Sequence, residues 1–184
     1  MRKGQFFLVG AFSLAILFFV GISSQISPEG IVFPEIRAVS SLFDNVRNEY
    51  PRAANLGLNE SEPVGRLTNF TNFVESKTRE RGIEFSLLFV LTQNVSDNLN
   101  VTVGNFLGYP IDIELNVSGA VENLQVSDGG TDSNLFSNPP ETFSLGISFN
   151  TTEKNLLLEK RKANLYFILD MRKGDNIIKG EVVS

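Results

Sequence analysis

Ile111-Asp112-Ile113-Glu114-Leu115-Asn116-Val117 alternates strictly between apolar and polar side chains. Successive side chains of a β-strand point to opposite faces, so this stretch turns Ile111, Ile113, Leu115 and Val117 to a core and Asp112, Glu114 and Asn116 to water. The same texture runs from Ile83 to Ser184, broken by Gly, Asn, Asp and Pro clusters at intervals of about 8–12 residues. It predicts strands near 84–91, 99–107, 110–117, 120–126, 142–149, 154–160, 163–170 and 176–183. No helical pattern separates them, which disfavours a parallel βαβ arrangement. The expected body, residues 83–184, is therefore a mostly antiparallel β-sandwich of two sheets, each burying one face. Its last two strands flank Arg172-Lys173-Gly174-Asp175-Asn176, a hairpin turn with basic residues at the tip.

Upstream, over 35–82, the period changes to that of helices. Ile36, Val39, Leu42, Phe43, Val46 and Tyr50 recur at helical spacing until Pro51, where the first helix is expected to stop. Ser61 reads as an N-cap, with Glu62 and Pro63 in the first turn of a second helix. Val64, Leu67, Phe70 and Val74 supply its apolar face and Gly82 its C′ residue. The two amphipathic helices could form a stalk, pack on the sandwich or dock on partner helices. Phe33, Phe43, Phe70 and Phe73 fit core or interhelix packing better than a partner groove. Residues 23–34, with Pro28, Gly30 and Pro34, read as a linker.

Before the linker stands a segment of another kind. Residues 1–4 form a basic leader, and residues 5–22 contain an apolar run from Phe6 to Ile22 interrupted only by Ser13. At about 1.5 Å per residue the run reaches roughly 26 Å as a helix, close to the roughly 30 Å of a bilayer core. Its apolar residues leave no polar face, which argues against a core helix of a soluble domain. Arg2 and Lys3 precede the run and no Lys or Arg follows until Arg37, so the N-terminus is expected inside and everything from Ser23 outside. Gly21-Ile22-Ser23 could pass as a secretory cleavage site, although the run is slightly long for a cleaved signal.

Basic residues, then Gly4-Gln5, then an uninterrupted apolar helix resemble the class III signal peptide of archaeal type IV pilin-like proteins. The resemblance covers about the first 22 residues. It implies cleavage between Gly4 and Gln5 on the cytoplasmic side, with the anchor kept in the mature chain. The family's pattern usually carries a Glu five residues into the mature chain, where it neutralises the terminal ammonium of a neighbouring subunit; Val9 stands there instead. A buried ammonium without a partner is costly, so this departure points away from a major filament subunit and toward a minor pilin or a simple anchored protein. An uncleaved signal anchor is the other reading of the same residues.

Composition narrows the function classes. The chain has 16 Lys and Arg against 21 Asp and Glu, interspersed, and so carries no basic stripe for nucleic acid. Cysteine is absent, so the exported part must fold on packing alone, which suits an archaeal or bacterial surface protein. Histidine is absent too, removing the usual general base near neutral pH and the commonest imidazole ligand. No Ser lies in a glycine-flanked elbow, and Asp112 and Glu114 share one solvated strand face. The chain is expected not to be an enzyme, with no catalytic residue, cofactor or metal assigned. Asp128, Asp132 and Asn134 could surround a Ca²⁺ ion, but Asp128-Gly129-Gly130 is equally what an ordinary loop needs.

Six asparagines fit the acceptor pattern Asn-x-Ser/Thr: Asn59, Asn69, Asn94, Asn100, Asn116 and Asn150, all on the expected outer side. Glu75 to Arg81 reads as a charged helix end. Lys154, Lys160, Arg161 and Lys162 form a basic cluster that could touch an acidic glycan or guard a strand edge.

The fold class expected is α+β: a transmembrane helix, two amphipathic helices, then the sandwich. The function expected is a membrane-anchored, extracellular, pilin-like minor or accessory subunit with a structural or adhesive β-head. Its partners would be the lipid bilayer and pilin-like or envelope proteins, met through the N-terminal helix, where Gly10, Ala11, Ser13 and Ala15 permit close approach. The alternative is a tethered module recognising carbohydrate or a partner surface protein. That reading would need Phe106, Tyr109, Phe143, Phe149, Tyr166 and Phe167 to gather on an exposed face.

Overall fold

The computed structural model describes residues 34–59 and 61–184. The expected leader, membrane segment and most of the linker lie outside the described residues, and with them the processing residues Gly4 and Gln5. Two helices come first, α1 (Pro34–Asn59) and α2 (Pro63–Arg79). Nine strands follow: β1 (Glu84–Val95), β2 (Asn98–Phe106), β3 (Ile111–Val117), β4 (Ala120–Val126), β5 (Gly130–Phe136), β6 (Thr142–Phe149), β7 (Thr152–Glu159), β8 (Asn164–Lys173) and β9 (Asn176–Val183). They build a five-stranded sheet in the order β5-β2-β1-β8-β9 and a four-stranded sheet in the order β4-β3-β6-β7. Every pairing is antiparallel. The class is α+β with a body that is mostly β-sandwich.

The apolar–polar alternation of residues 111–117 is realised in β3: Ile113 and Leu115 are fully buried while Asp112 and Glu114 are exposed. They join Leu88, Val90, Val101, Val103, Leu145, Ile147 and Tyr166 in the core between the sheets. The larger sheet departs from the expectation that each sheet buries one face. Leu87, Phe89 and Leu91 of β1, and Leu165, Phe167 and Leu169 of β8, form a second core with Val39, Phe43, Val46, Tyr50, Leu67 and Val74 of the helices. Of the three placements open for the helices, packing on the sandwich is the one adopted. Each buried Leu, Val or Phe contributes about 1.5–3 kcal/mol, so the helices stabilise the sheet they cover.

Three expectations about local structure are corrected. The first helix does not stop at Pro51 but runs through it to Asn59. Proline costs a helix about 3 kcal/mol by removing a donor and crowding the preceding turn. Here the apolar stripe continues past it, with Tyr50 and Ala54 both buried, and packing outweighs the breaker. The second correction is β5, an added strand where a flexible loop was expected; it pairs with β2 from Leu99↔Phe136 to Asn105↔Gly130. At the start of α2, Glu62 rather than Ser61 holds the N-cap position, and Pro63 opens the helix as expected. Gly82 takes φ +65 beyond the helix end, where its N–H bonds the Arg79 carbonyl.

Close approaches set the spacing of the helical layer. A Cβ on Gly104 would lie 2.0 Å from Cε1 of Phe89, and one on Gly180 would lie 2.7 Å from Cζ of Phe43. Tyr50 is fully buried among the rings of Phe70, Phe89 and Phe167, the last at 4.8 Å between centroids.

Candidate functional site

The aromatic residues needed for a sugar platform do not gather outside. Phe106, Phe143, Phe149, Tyr166 and Phe167 are buried, and Tyr109 alone of the six is exposed, at 46 %. Phe43 is core, Phe70 is partly buried beside it, and Phe73 is exposed; Phe33 lies outside the described residues. Asp112 and Glu114 face solvent on the open side of the smaller sheet.

The basic cluster separates into individual ion pairs. Lys154 meets Glu181 of β9, Arg161 bonds Glu141 at 2.8 Å and Lys162 bonds Glu159 at 2.9 Å. Lys160 is 5 % exposed, its backbone N–H held by the Glu141 carbonyl. The most connected of these groups is Glu181, which also accepts from the Tyr166 hydroxyl at 3.1 Å. The Lys154 hydrogen bond holds the Glu181 carboxyl below the usual carboxylate range. Burial, then the hydrogen bond to Glu181, pushes the Tyr166 phenol up. Next to it, Lys179 is raised by its 2.7 Å contact with Asp170. These pairs fasten β9 to β7 and β8. They are exposed and worth little each.

The Asp128 loop is likewise occupied by its own backbone. Asp128 Oδ1 accepts from the Gly108 N–H at 2.8 Å, Asp132 Oδ1 from the Ser133 N–H and Asn134 Oδ1 from the Leu135 N–H. Among the described residues no three His, Cys, Asp or Glu side chains converge as a metal site. A shallow cleft of about 470 Å³ lies where α2 ends, lined by Glu75, Thr78, Arg79, Gly82, Ile83, Glu84 and Phe85. Its polar groups are engaged locally: Arg79 pairs with Glu75, and the Thr78 hydroxyl donates to the Glu75 carbonyl. The Glu75–Arg81 stretch is thus a charged helix end, with Lys77 and Arg79 in its last turn.

The six acceptor asparagines fall into distinct settings. Asn94 and Asn116 are the next-to-last residues of β1 and β3, just before the β1–β2 and β3–β4 hairpin turns, and Asn150 lies in the β6–β7 turn itself. Asn69 lies within α2 and Asn100 within β2, a strand flanked on both sides by β5 and β1. Asn59 ends α1, and its motif passes through residue 60, outside the described residues.

Two further asparagines, not singled out by sequence, hold the two ends of the sandwich. Asn105 donates to the carbonyls of Tyr109 and Val126, while its Oδ1 accepts from Leu107. Asn164 reaches Thr92 Oγ1 and the carbonyls of Glu159 and Lys162, each at 3.0 Å. Both are buried, and buried amides require such partners. Their only sequence signal is an Asn at the margin of an apolar run.

No protein-family model matches the chain, and no curated protein matches it. Among the described residues no helix is long and apolar enough to cross a membrane.

Proposed function

We propose that this chain is a membrane-anchored surface protein, a pilin-like minor or accessory subunit whose α+β body is a structural or adhesive head outside the cell. The observation that carries the reading is the apolar run Phe6–Ile22 with Arg2 and Lys3 before it and no further Lys or Arg until Arg37. Gly4-Gln5 at its cytoplasmic edge supports processing that leaves the anchor attached. The nominated carboxylates share a wet face of β3 and the clustered basic residues Lys154, Arg161 and Lys162 are paired to neighbours, as expected of a charged, solvated surface. A tethered carbohydrate module is less favoured, since five of its six candidate aromatics lie in the cores.

Anchoring and export are tested together by alkaline extraction of native membranes and by protease treatment of intact cells. The reading expects the chain to stay in the membrane pellet and its body to be reached from outside. Release into the supernatant, or protection that lasts until the cells are broken, would overturn it.

A further inference from the structure

We infer that Asn94 and Asn116 carry N-linked glycans at one end of the sandwich, and that Asn69 and Asn100, which fit the same pattern, stay bare in the folded chain. The inference rests on the export reading, since glycan transfer takes place on the outer side. Both nominated turns read Asn-Val-Ser, Asn94-Val95-Ser96 and Asn116-Val117-Ser118, and both have the same local geometry. Asn94 Oδ1 accepts from the Asp97 N–H at 3.1 Å, and Asn116 Oδ1 from the Gly119 N–H at 2.8 Å. Each serine takes a positive φ, 51° at Ser96 and 49° at Ser118, and each is exposed. The amide oxygen is therefore fixed against its own turn, and among the described residues neither Nδ2 donates a hydrogen bond.

The two turns share one end of the molecule. Asn138 donates to Asn98 at the first turn, and six residues on, Ser144 and Ser118 exchange hydrogen bonds at the second. Asn150 stands apart, its Nδ2 directed at the Tyr109 hydroxyl at 3.4 Å.

The excluded pair differs at the hydroxyl residue of the motif. Thr71 is fully buried, its Oγ1 donating to the Leu67 carbonyl and pairing with the Tyr50 hydroxyl, both at 2.8 Å. Thr102 is 4 % exposed and accepts from Nδ2 of Asn100 itself at 3.3 Å. A transferase must grip the asparagine and the hydroxyl together, which requires an exposed loop. In the two nominated motifs the hydroxyl residue stands exposed in a hairpin turn, with the asparagine two residues before it at a strand end; at Asn69 and Asn100 the hydroxyl residue is buried within α2 or β2, and backbone hydrogen bonds would have to break before it could be reached. In the step itself Nδ2 displaces the phosphate of a lipid-phosphate-linked oligosaccharide. The C1–N bond forms, the C1–O bond to phosphate breaks, the lipid phosphate leaves with the bonding pair, and the amide proton passes to a base of the transferase.

The test is site-resolved peptide mass analysis of the full chain from native membranes, alongside protease treatment of the same intact cells. Glycan mass on the Asn94 and Asn116 peptides with Asn69 and Asn100 unmodified is the expected result, and N94Q/N116Q loses both masses while keeping external protease accessibility. A body reached by external protease that carries no glycan at Asn94 and Asn116, or carries one at Asn69 or Asn100, overturns the site assignment while leaving export standing. A body shielded from protease overturns the export reading, and the assignment falls with it.

Discussion

A buried tyrosine hydroxyl needs a partner, and Tyr50 finds one in Thr71 of the other helix, so a single phenol joins α1, α2 and the larger sheet. Y50F keeps the ring packing and leaves Thr71 bonded to Leu67; it is expected to lower the unfolding free energy in urea by about 1 kcal/mol. Y50A also empties the space between Phe89 and Phe167 and should cost about 3–5 kcal/mol in the same measurement. Burial raises the Tyr50 phenol above its ordinary value, with the Thr71 hydrogen bond opposing only in part. A raised folded pKa means that the unfolded chain loses its proton first. The contribution is full below about pH 10 and is lost as pH rises toward the folded value. Urea midpoints should therefore fall above that pH, and less steeply in Y50F; an unchanged slope would contradict the assignment. Tyr166, shifted in the same direction, accounts for the part of the slope that remains.

Among the elements, the corner between the helices depends on backbone proximity. A Cβ on Gly57 of α1 would lie 2.4 Å from the Pro63 Cα, whereas one on Gly65 of α2 would meet nothing within 4 Å. Alanine favours a helix over glycine by about 1 kcal/mol, yet G57A is expected to destabilise by about 1–3 kcal/mol, because backbone cannot yield as a side chain can. G65A should stabilise by about 0.5–1 kcal/mol, and thermal denaturation of the two variants checks both signs. At the β9 edge, the lowered carboxyl of Glu181 contributes above the ordinary carboxylate pKa and is lost as pH falls through the folded value. Protection factors of β9 amides, taken relative to intrinsic exchange at each pH, should fall on acidification in the wild type and change less in E181Q. These elements also show what could be read in advance. The helix–strand boundary near Ile83 and the eight expected strands are realised because their alternation reports a half-buried surface directly. The ninth, β5, carries Gly130, Asp132 and Asn134, poor strand formers held by pairing with β2 rather than by their own pattern. The continuous run Leu87–Leu91 already signals burial on both faces, and only the helices supply the reason. The acceptor asparagines are legible as a motif, but separating those with an exposed hydroxyl residue, Ser96 or Ser118, from those in α2 and β2 needs the burial of Thr71 and Thr102.

At the scale of the whole molecule, residues 34–184 form one compact unit in which the helices are a layer of the body. A chain reduced to 83–184 would uncover Leu87, Phe89, Phe167, Leu169 and Met171 together, an apolar face of the kind that drives association. Light scattering should find that fragment aggregated and the 34–184 unit dispersed; a monodisperse fragment would mean that the helices are dispensable. The anchored, pilin-like reading meets its most direct test in the mass and N-terminal sequence of the mature protein from native membranes. A chain beginning at Gln5, with the apolar run intact, is the predicted result. A chain beginning at Met1 would contradict pilin-type processing, and one beginning near Ser24 would mean a released domain and contradict the anchor itself.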